Sequence, residues 1–598
     1  MNVRDAVATV TQRIAARSHD RRTAYLEQIE AAASRGVGRR ALSCGNLAHA
    51  AAGCTADREG LFGDAVNIGI VTAYNDMLSA HQPFATYPDL LKAAARRNGA
   101  TAQVAGGVPA MCDGVTQGRP GMDLSLLSRD VIAMSTAVSL SHDTYDGGLL
   151  LGVCDKIVPG LLIGALSFGH LPFMLVPAGP MPSGLANAEK KRVREAHAKG
   201  EVDDASLLAA EAASYHAPGT CTFYGTANTN QLLMEVMGLH VPGASFVPEG
   251  TPLRSAVTEA AVEGVLRAVR GGAPHHRLGH LVDERAIVNA IVALMATGGS
   301  SNLVLHLVAI ARAAGLVVRL EDLHDLSQTT PLMVRMYPNG AADVNAFHDA
   351  GGTSWLIAEL LDAGLLHGDA KSMWGDDLHA QAKRPCVAED GGLRFDDPGP
   401  AGDDTILRPA SSPFAPTGGL RLVEGALGRG VVKVSAVPEG ETSLTAPAAV
   451  FDDQAAVKQA FAEGSLSGDH VIVVRFQGPQ ANGMPELHGL APILGALRSF
   501  GHRVALVTDG RLSGASGATL SAIHVGPEAA RGGPLARLRT GDVVTVDADN
   551  GLLTTDADLD SRSDAPAPPP AVGWGRELFN DLRRMSTDAE HGASVLEW

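Results

Sequence analysis

The chain is poor in cysteine, with 6 in 598 residues, and poor in aromatic side chains, at 4%. So few thiols exclude a disulfide-stapled scaffold, and a chain of this length can bury several apolar cores without staples. No two of the six (Cys44, Cys54, Cys112, Cys154, Cys221, Cys386) stand at the close CxxC spacing of zinc ribbons or ferredoxin clusters. Each is therefore first read as a small buried hydrophobe. Positive charge is also in deficit, 48 Lys and Arg against 65 Asp and Glu, for a net charge of −17. That balance repels a phosphate backbone and excludes a general nucleic-acid binder. The longest apolar stretch, Val158 to Met181, is broken by Pro159, His170, Pro172 and several glycines. A bilayer span needs about 20 uninterrupted apolar residues, so no membrane association is expected. The opening MNVRDAVATVTQRIAARSHDRR carries charge inside its apolar pattern and lacks a signal-peptide core. The cytoplasm is the expected compartment.

What is present is the pattern of a globular enzyme-sized chain, 45% apolar and 19% charged. An amphipathic helical stretch opens it. Strands are predicted at Val66 to Thr72, Thr101 to Ala105, Gly148 to Val153 and Phe173 to Val176, alternating with helices over Pro88 to Arg97, Ser128 to Ser141 and Pro159 to Phe168. This alternation predicts crossover connections and a mainly parallel sheet, with ligands gathering beyond the carboxyl ends of its strands. Charged, Ala-rich surface helices are expected over Asn187 to Ser214, and further helices over Leu253 to Val269, Ile287 to Ala296 and Leu303 to Ala314. The Gly-, Pro- and Asp-rich stretch from Asp390 to Gly419 is the best candidate for a boundary. Beyond it, strands are expected at Gly430 to Val437, His470 to Phe476, Arg503 to Thr508 and Asp542 to Asp547, the last followed by the hairpin signal Asn550-Gly551. Asp560 to Val572 reads as an extended linker before a terminal helix. The expected fold class is thus α/β: an N-terminal α/β sandwich domain with a mainly parallel sheet over residues 1–400, and a β-rich, barrel-like domain over 401–598.

Several polar motifs follow predicted strands. Cys154-Asp155-Lys156 brings a thiol, a carboxylate and an amine to a buried strand end, where they are costly to desolvate unless they bind something; strand-end polar residues also simply cap or turn. Asp113, in AMCDGVTQG, stands in a Gly-rich loop and is first a turn residue, with a carboxylate ligand as the other reading. Cys221 lies in PGTCTFYGTANTN, whose small hydroxylated residues either cap the helix starting near Thr226 or present amides to an anion. Gly298 to Asn302 (GGSSN) has the same two readings, and it lacks the Lys of a P-loop. In the second half, GPQANGMPELHG supplies Glu486, and TDGRLSGASG supplies Ser513 beside Arg511. Ser513 lacks the G-x-S-x-G elbow, which disfavours a hydrolase triad.

Taken in order, NDMLSAHQP, GGVPAMCDGVTQG, GVCDKIVPG, HAPGTCTFYGTANTN, ATGGSSN, GPQANGMPELH and VTDGRLSGASG resemble the family of dihydroxyacid and 6-phosphogluconate dehydratases over nearly the whole chain. NDMLSAHQP, SYHAPGTCTFYGTANTNQ and the GRELF near Gly575 resemble the phosphogluconate branch more than the branched-chain one. The resemblance implies a homodimer or higher homo-oligomer, a C-terminal barrel-like domain closing over the site, an iron-sulfur cluster and Mg2+. It implies Cys154 and Cys221 as cluster ligands, Asp113, Asp155, Lys156 and Glu486 as Mg2+ ligands, and Ser513 as the catalytic base. A protonated lysine cannot ligate a cation, so Lys156 would serve as a carbamate.

The implied reaction removes water across C2 and C3 of a sugar acid, with 6-phospho-D-gluconate as the expected substrate. An unphosphorylated sugar acid or a branched 2,3-dihydroxy acid is the alternative. Mg2+ would stabilise the enolate-like charge, Ser513 would take the C2 proton, and an open cluster iron would assist loss of the C3 hydroxyl. Two departures stand out. Relatives with a third cluster cysteine in the loop corresponding to NDMLSAH carry it where Leu78 stands here, and Cys112 or a non-cysteine ligand is left as the substitute. Cluster type stays open between [4Fe-4S], which is favoured, and [2Fe-2S]. The family's GGSTN is GGSSN here, with Ser301 keeping the hydroxyl. The residues facing the substrate phosphate are not legible: His81, His170, Arg254 and Arg511 are candidates, each with a structural or surface reading. An iron-sulfur sensor that has lost catalysis is disfavoured, because the Glu486 and Ser513 motifs are intact and the charge is acidic.

Overall fold

The computed structural model describes residues 3–389, 391–512 and 518–598. Four strands, β1 (Asn67–Thr72), β2 (Thr101–Gly107), β3 (Gly147–Leu151) and β4 (Phe173–Val176), form an all-parallel sheet in the order β2-β1-β3-β4. The chain leaves β1 in one direction to reach β2, then crosses back over β1 to reach β3. Right-handed crossovers in opposite directions place the helices Tyr87–Arg97 and Ser128–Leu140 on opposite faces. The order also reverses between β1 and β3, which opens a crevice beyond their carboxyl ends. β3 is buried at every position, as its unbroken apolar run requires of a strand covered on both faces.

The predicted apolar stretch Val158 to Met181 is a fully buried helix, Ile157–Leu166, followed by β4. This helix packs unusually close to Ser128–Leu140 because glycine lines the contact. A Cβ at Gly160 would lie 2.6 Å from the Arg129 carbonyl oxygen, and one at Gly164 would lie 2.5 Å from that of Ala133. Further buried helices, Thr226–Val236, Glu284–Ala296 and Leu303–Ala313, form a second helical layer. Among the described residues no helix is long and apolar enough to cross a membrane.

The Gly- and Pro-rich stretch after residue 390 does not run free. Leu393–Asp396 pairs as β6 with β5 (Arg384–Val387). Residues 406–415 then lie along 332–335, with Arg335 donating its backbone N–H to Ile406, Arg408 to Met333 and Leu332 to Ala415. The second unit is a closed eight-stranded barrel of β7 (Leu420–Gly425), β8 (Gly428–Lys433), β9 (Ser443–Phe451), β10 (His470–Val474), β11 (Val504–Thr508), β12 (Ser521–Gly526), β13 (Val543–Asp547) and β14 (Leu552–Thr555). β9 to β12 are parallel neighbours and the other contacts are mostly antiparallel. The Asn550-Gly551 signal joins β13 to β14 as expected. In β10, Val471 and Val473 face the barrel core while Ile472 and Val474 join the main core. Burial on both faces is worth about 1.5–3 kcal/mol per side chain, so this strand cements the two units together.

The chain end returns across the molecule. Arg129 donates to the carbonyls of Gly592 and Ala593 at 2.9 Å each, and Asp130 accepts from Ser594 Oγ and from Val595 N–H. Arg129 and Asp130 are both fully buried and paired with each other at 2.9 Å.

Gly160→Ala should lower stability by about 1–3 kcal/mol through overpacking against backbone that cannot yield. Comparison by urea denaturation with the exposed Gly53→Ala, whose φ is −78° and whose Cβ meets nothing within 4 Å, checks that the loss comes from the helix contact.

Candidate active site

The Cys112-Asp113 and Cys154-Asp155-Lys156 loops emerge at the carboxyl edge of the parallel sheet. β2 leads to Cys112 and Asp113, which begin a one-turn helix, Asp113–Thr116. β3 leads through Gly152-Val153 to Cys154-Asp155-Lys156. Cys154 adopts φ +74°, a left-handed conformation that costs a non-glycine residue energy and turns the chain sharply. Beyond β4, Pro180 pairs with Thr220 and so carries Cys221 alongside. Asn230 ties these loops together by donating to the carbonyls of Cys154 (3.3 Å) and Asp155 (2.9 Å), and Asn228 donates to that of Cys221 (2.6 Å).

From the barrel come Glu486 and Arg511, which lie in loops after β10 and β11 and form a β-bridge with each other. Arg511 is fully buried and reaches across to the sheet. It contacts Asp113 Oδ2 at 2.9 Å, Asp155 Oδ2 at 3.2 Å and Glu486 Oε2 at 3.0 Å, and its Nε donates to the Met484 carbonyl at 2.8 Å. Lys156, also fully buried, contacts Asp113 Oδ1 at 2.5 Å and Asp155 Oδ2 at 2.9 Å. Asp113 also accepts from Ser125 Oγ. Asp155 Oδ1 bonds His306 Nε2 at 3.0 Å, and Glu486 accepts from Asn302 Nδ2 at 3.0 Å.

The charges decide the protonation states. Burial works to raise Asp113 and Asp155, but Arg511 and Lys156 overcome it and hold both below the usual carboxylate range, Asp155 well below. Burial works to lower Lys156, and the two aspartates overcome it, so the amine stays above its usual value. Burial lowers His306 to about 4; it is neutral, and because a carboxylate only accepts, Nε2 carries its proton. Glu486 is the exception, pushed up to about 7 by burial that Arg511 only partly offsets. Among the described residues three carboxylates meet two cations, and Glu486 is the one that burial raises. Oxygen donors of this kind are those a hard divalent cation takes, so the carboxylates fit Mg2+.

The thiols gather on the flank of this cluster. Burial raises the pKa of all three, Cys221 to about 12 and Cys154 well above the usual value, and each is raised further by its neighbours: Cys112 and Cys221 act on Cys154, and Cys112 acts on Cys221. Metal-free, they are neutral thiols. The other cysteines lie elsewhere: Cys54 beside Gln103, Cys386 beside Asp396 in the β5–β6 hairpin, and Cys44 at an exposed helix start.

The structure therefore brings together Asp113, Asp155, Lys156 and Glu486, with Cys154 and Cys221 beside them. Ser513 lies outside the described residues, which resume the site at Leu512 and Arg511. In GGSSN the Ser300 N–H donates to Thr229 Oγ1 (3.2 Å) and the Asn302 N–H to Ser300 Oγ (3.3 Å), so these two amides serve the local turn. Ser301 uses its hydroxyl to hold the Leu512 carbonyl at 3.2 Å, which explains why Ser serves in place of Thr. Among the phosphate candidates, His81 is fully buried with Nδ1 on the Ala73 carbonyl, Arg254 donates to the Ala244 carbonyl, and Arg511 belongs to the carboxylate cluster. His170 is half-buried and is acted on by Asp143, Arg277 and Arg35. Sequence reasoning missed His306, although it stands four residues after Asn302 on one helix face. It also missed His524, a buried residue at φ +56° with neither ring nitrogen hydrogen-bonded, within electrostatic reach of Arg511 and His306.

Arg511→Met should cost about 3–5 kcal/mol in chelator-treated protein, because it strands buried carboxylates without their cation. Denaturation with and without Mg2+ checks this, and the loss should shrink when the divalent ion is added.

Residues 66–381 match the model of the dihydroxy-acid/6-phosphogluconate dehydratase N-terminal domain, and residues 405–593 match that of the C-terminal domain. The chain is 56% identical over 594 residues to a phosphogluconate dehydratase of Pseudomonas aeruginosa, covering 98% of each. It is 52% identical to a phosphogluconate dehydratase of Escherichia coli K12, again over 98% of each. Identity to a dihydroxy-acid dehydratase of Sulfurisphaera tokodaii is 32%, over 88% of this chain and 93% of the other.

Proposed function

The chain belongs to the dihydroxy-acid/6-phosphogluconate dehydratase family, and from that premise we propose that it removes water from 6-phospho-D-gluconate to give 2-dehydro-3-deoxy-6-phospho-D-gluconate, the first committed step of the Entner-Doudoroff route. It is a hydro-lyase. The single observation that carries the substrate is the much higher identity to phosphogluconate dehydratases than to a dihydroxy-acid dehydratase, at nearly full coverage of both chains.

Asp113, Asp155 and Glu486, with Lys156 as its carbamate, would hold Mg2+; Cys154 and Cys221 would hold an iron-sulfur cluster, [4Fe-4S] by preference. Held there, Mg2+ would supply positive charge against the enolate-like charge of the reaction, and the cluster would supply a Lewis acid for the C3 hydroxyl. The protein's own residues prepare that chemistry. Arg511 holds carboxylates from both units beside one another through its contacts with Asp113, Asp155 and Glu486. His306 orients Asp155 and Asn302 orients Glu486 through their hydrogen bonds. Ser513, as its alkoxide, would take the C2 proton and become the neutral hydroxyl. The enol product then tautomerises to the 2-keto acid. Residues 1–400 and 401–598 act as the two domains between which the site lies, in a cytoplasmic homodimer or higher homo-oligomer.

Anaerobically purified protein should form a 2-keto acid from 6-phosphogluconate; turnover of gluconate but not of its 6-phosphate would overturn the substrate assignment. Ser513→Ala should lower kcat by about 10²–10⁴-fold while leaving the cluster's visible absorbance unchanged, and retained turnover would remove Ser513 as the base. Mg2+ and a proton compete for Glu486, whose cation-free pKa is about 7. Apparent Mg2+ affinity should thus fall by about tenfold per pH unit below that value and level off above it, as read by calorimetry in buffers of differing ionisation heat.

A further inference from the structure

The chain contains two Cys-Asp dipeptides, Cys112-Asp113 and Cys154-Asp155. They follow adjacent crossovers of the same parallel sheet, one after β2 and one after β3. Their aspartates meet the same two cations: Lys156 lies 2.5 Å from Asp113 and 2.9 Å from Asp155, and Arg511 lies 2.9 Å and 3.2 Å from them. The residues immediately before those aspartates are therefore held on neighbouring backbone at the rim of one cluster. Cys221 is tied to the same rim, because Asn228 and Asn230 of one helix bind the carbonyls of Cys221 and Cys154.

The loop from residue 75 to 81 closes the rim on another side. The Gly219 N–H donates to the Ser79 carbonyl at 2.8 Å, and the Leu78 side chain is buried there with 2% exposure. An alkyl group ligates nothing, so that loop leaves no thiol to face Cys154 and Cys221. A cluster that keeps one iron open to substrate still needs its other irons held by protein, and two thiolates are too few for a [4Fe-4S] core. Of the four remaining cysteines, Cys44, Cys54 and Cys386 lie in other parts of the fold, as described above.

We propose that Cys112 is the third protein thiolate of the cluster site, so that each Cys-Asp dipeptide sends its sulfur to iron and its carboxylate to the divalent cation. This rests on the cluster reading given under the proposed function. On assembly each S–H bond breaks, the proton leaves to solvent, and the sulfur lone pair forms an S–Fe bond with no change of oxidation state at sulfur. Cys112 lies within electrostatic reach of both Cys154 and Cys221. One consequence is direct coupling of the two metal sites, since moving either dipeptide moves a ligand of each.

The test uses the full chain, purified anaerobically as wild type and as Cys112→Ser, Cys154→Ser and Cys386→Ser, with iron and acid-labile sulfide counted per chain and the reduced cluster recorded by EPR. Cys112→Ser should lose iron by about tenfold or more, in line with Cys154→Ser, while Cys386→Ser matches wild type. Retention of full iron with an unchanged EPR signal in Cys112→Ser would overturn the proposal. Wild-type protein without iron and sulfide, even after anaerobic reconstitution, would instead overturn the cluster reading itself and this proposal with it. Should Cys112→Ser fold poorly by circular dichroism, wild-type protein answers the question through alkylation mapped by mass spectrometry. Cys112, Cys154 and Cys221 should be protected together and become labelled together once the cluster is stripped by chelator and oxidant, with Cys44 labelled throughout. Equal labelling of Cys112 before and after stripping sinks the assignment.

Discussion

A buried cluster of five charges organises this molecule. Asp113, Asp155 and Glu486 face Lys156 and Arg511 with almost no water to screen them, so each group is intolerable without the others. Arg511 comes from the barrel and two of its carboxylates come from the sheet, which makes the correct seating of the two units a condition for satisfying either. The geometry that results is held by Coulomb attraction in a low-dielectric setting and by hydrogen bonds from His306, Asn302 and Ser125. Burial raises Glu486, and Arg511 offsets that only in part. Carboxylate oxygens gathered at one buried place are the donors a hard divalent cation takes.

The scaffold delivers these groups by short routes from rigid strands. β2, β3 and β11 each end within a few residues of a member of the cluster, β10 reaches Glu486 by a longer loop, and the left-handed turn at Cys154 aims its loop without lengthening it. Close glycine-mediated packing of Ile157–Leu166 on Ser128–Leu140 fixes the helix that Lys156 precedes. Arg129 connects this packing to the chain end, and its guanidinium also lies 3.5 Å from His306 Nδ1. The last residues of the chain are in this way mechanically linked to Asp155.

Legibility followed locality. All four parallel strands and the helices between them emerged from hydrophobic period alone; β1, β3 and β4 are runs buried almost throughout, while β2 is buried only at Thr101 and Ala102. The barrel was only half visible. β9 reads SLTAPAAVF, with a proline and several alanines that weaken its strand signal, and β7 and β12 are short and interrupted by glycine or a histidine in a bulge. Those three strands are specified by barrel closure, a long-range condition that their own residues barely express. In the site, Cys154, Asp155, Lys156 and Glu486 announced themselves by polarity at strand ends. Arg511 was seen only as a candidate for another task, since nothing local distinguishes a surface arginine from one that three carboxylates have drawn inside.

The sequence by itself determined the alternating α/β framework, the position of the Cys154-Asp155-Lys156, Glu486 and Arg511 loops after strands, and the family pattern that names the reaction class. Tertiary structure alone decided which of those groups share cations, which thiols lie together and which carboxylate burial raises. The reason is physical: secondary structure depends on periodicity within about ten residues, whereas the state of a buried charge depends on every charge packed within a few ångströms of it, and Arg511 meets Asp113 across nearly four hundred residues of chain.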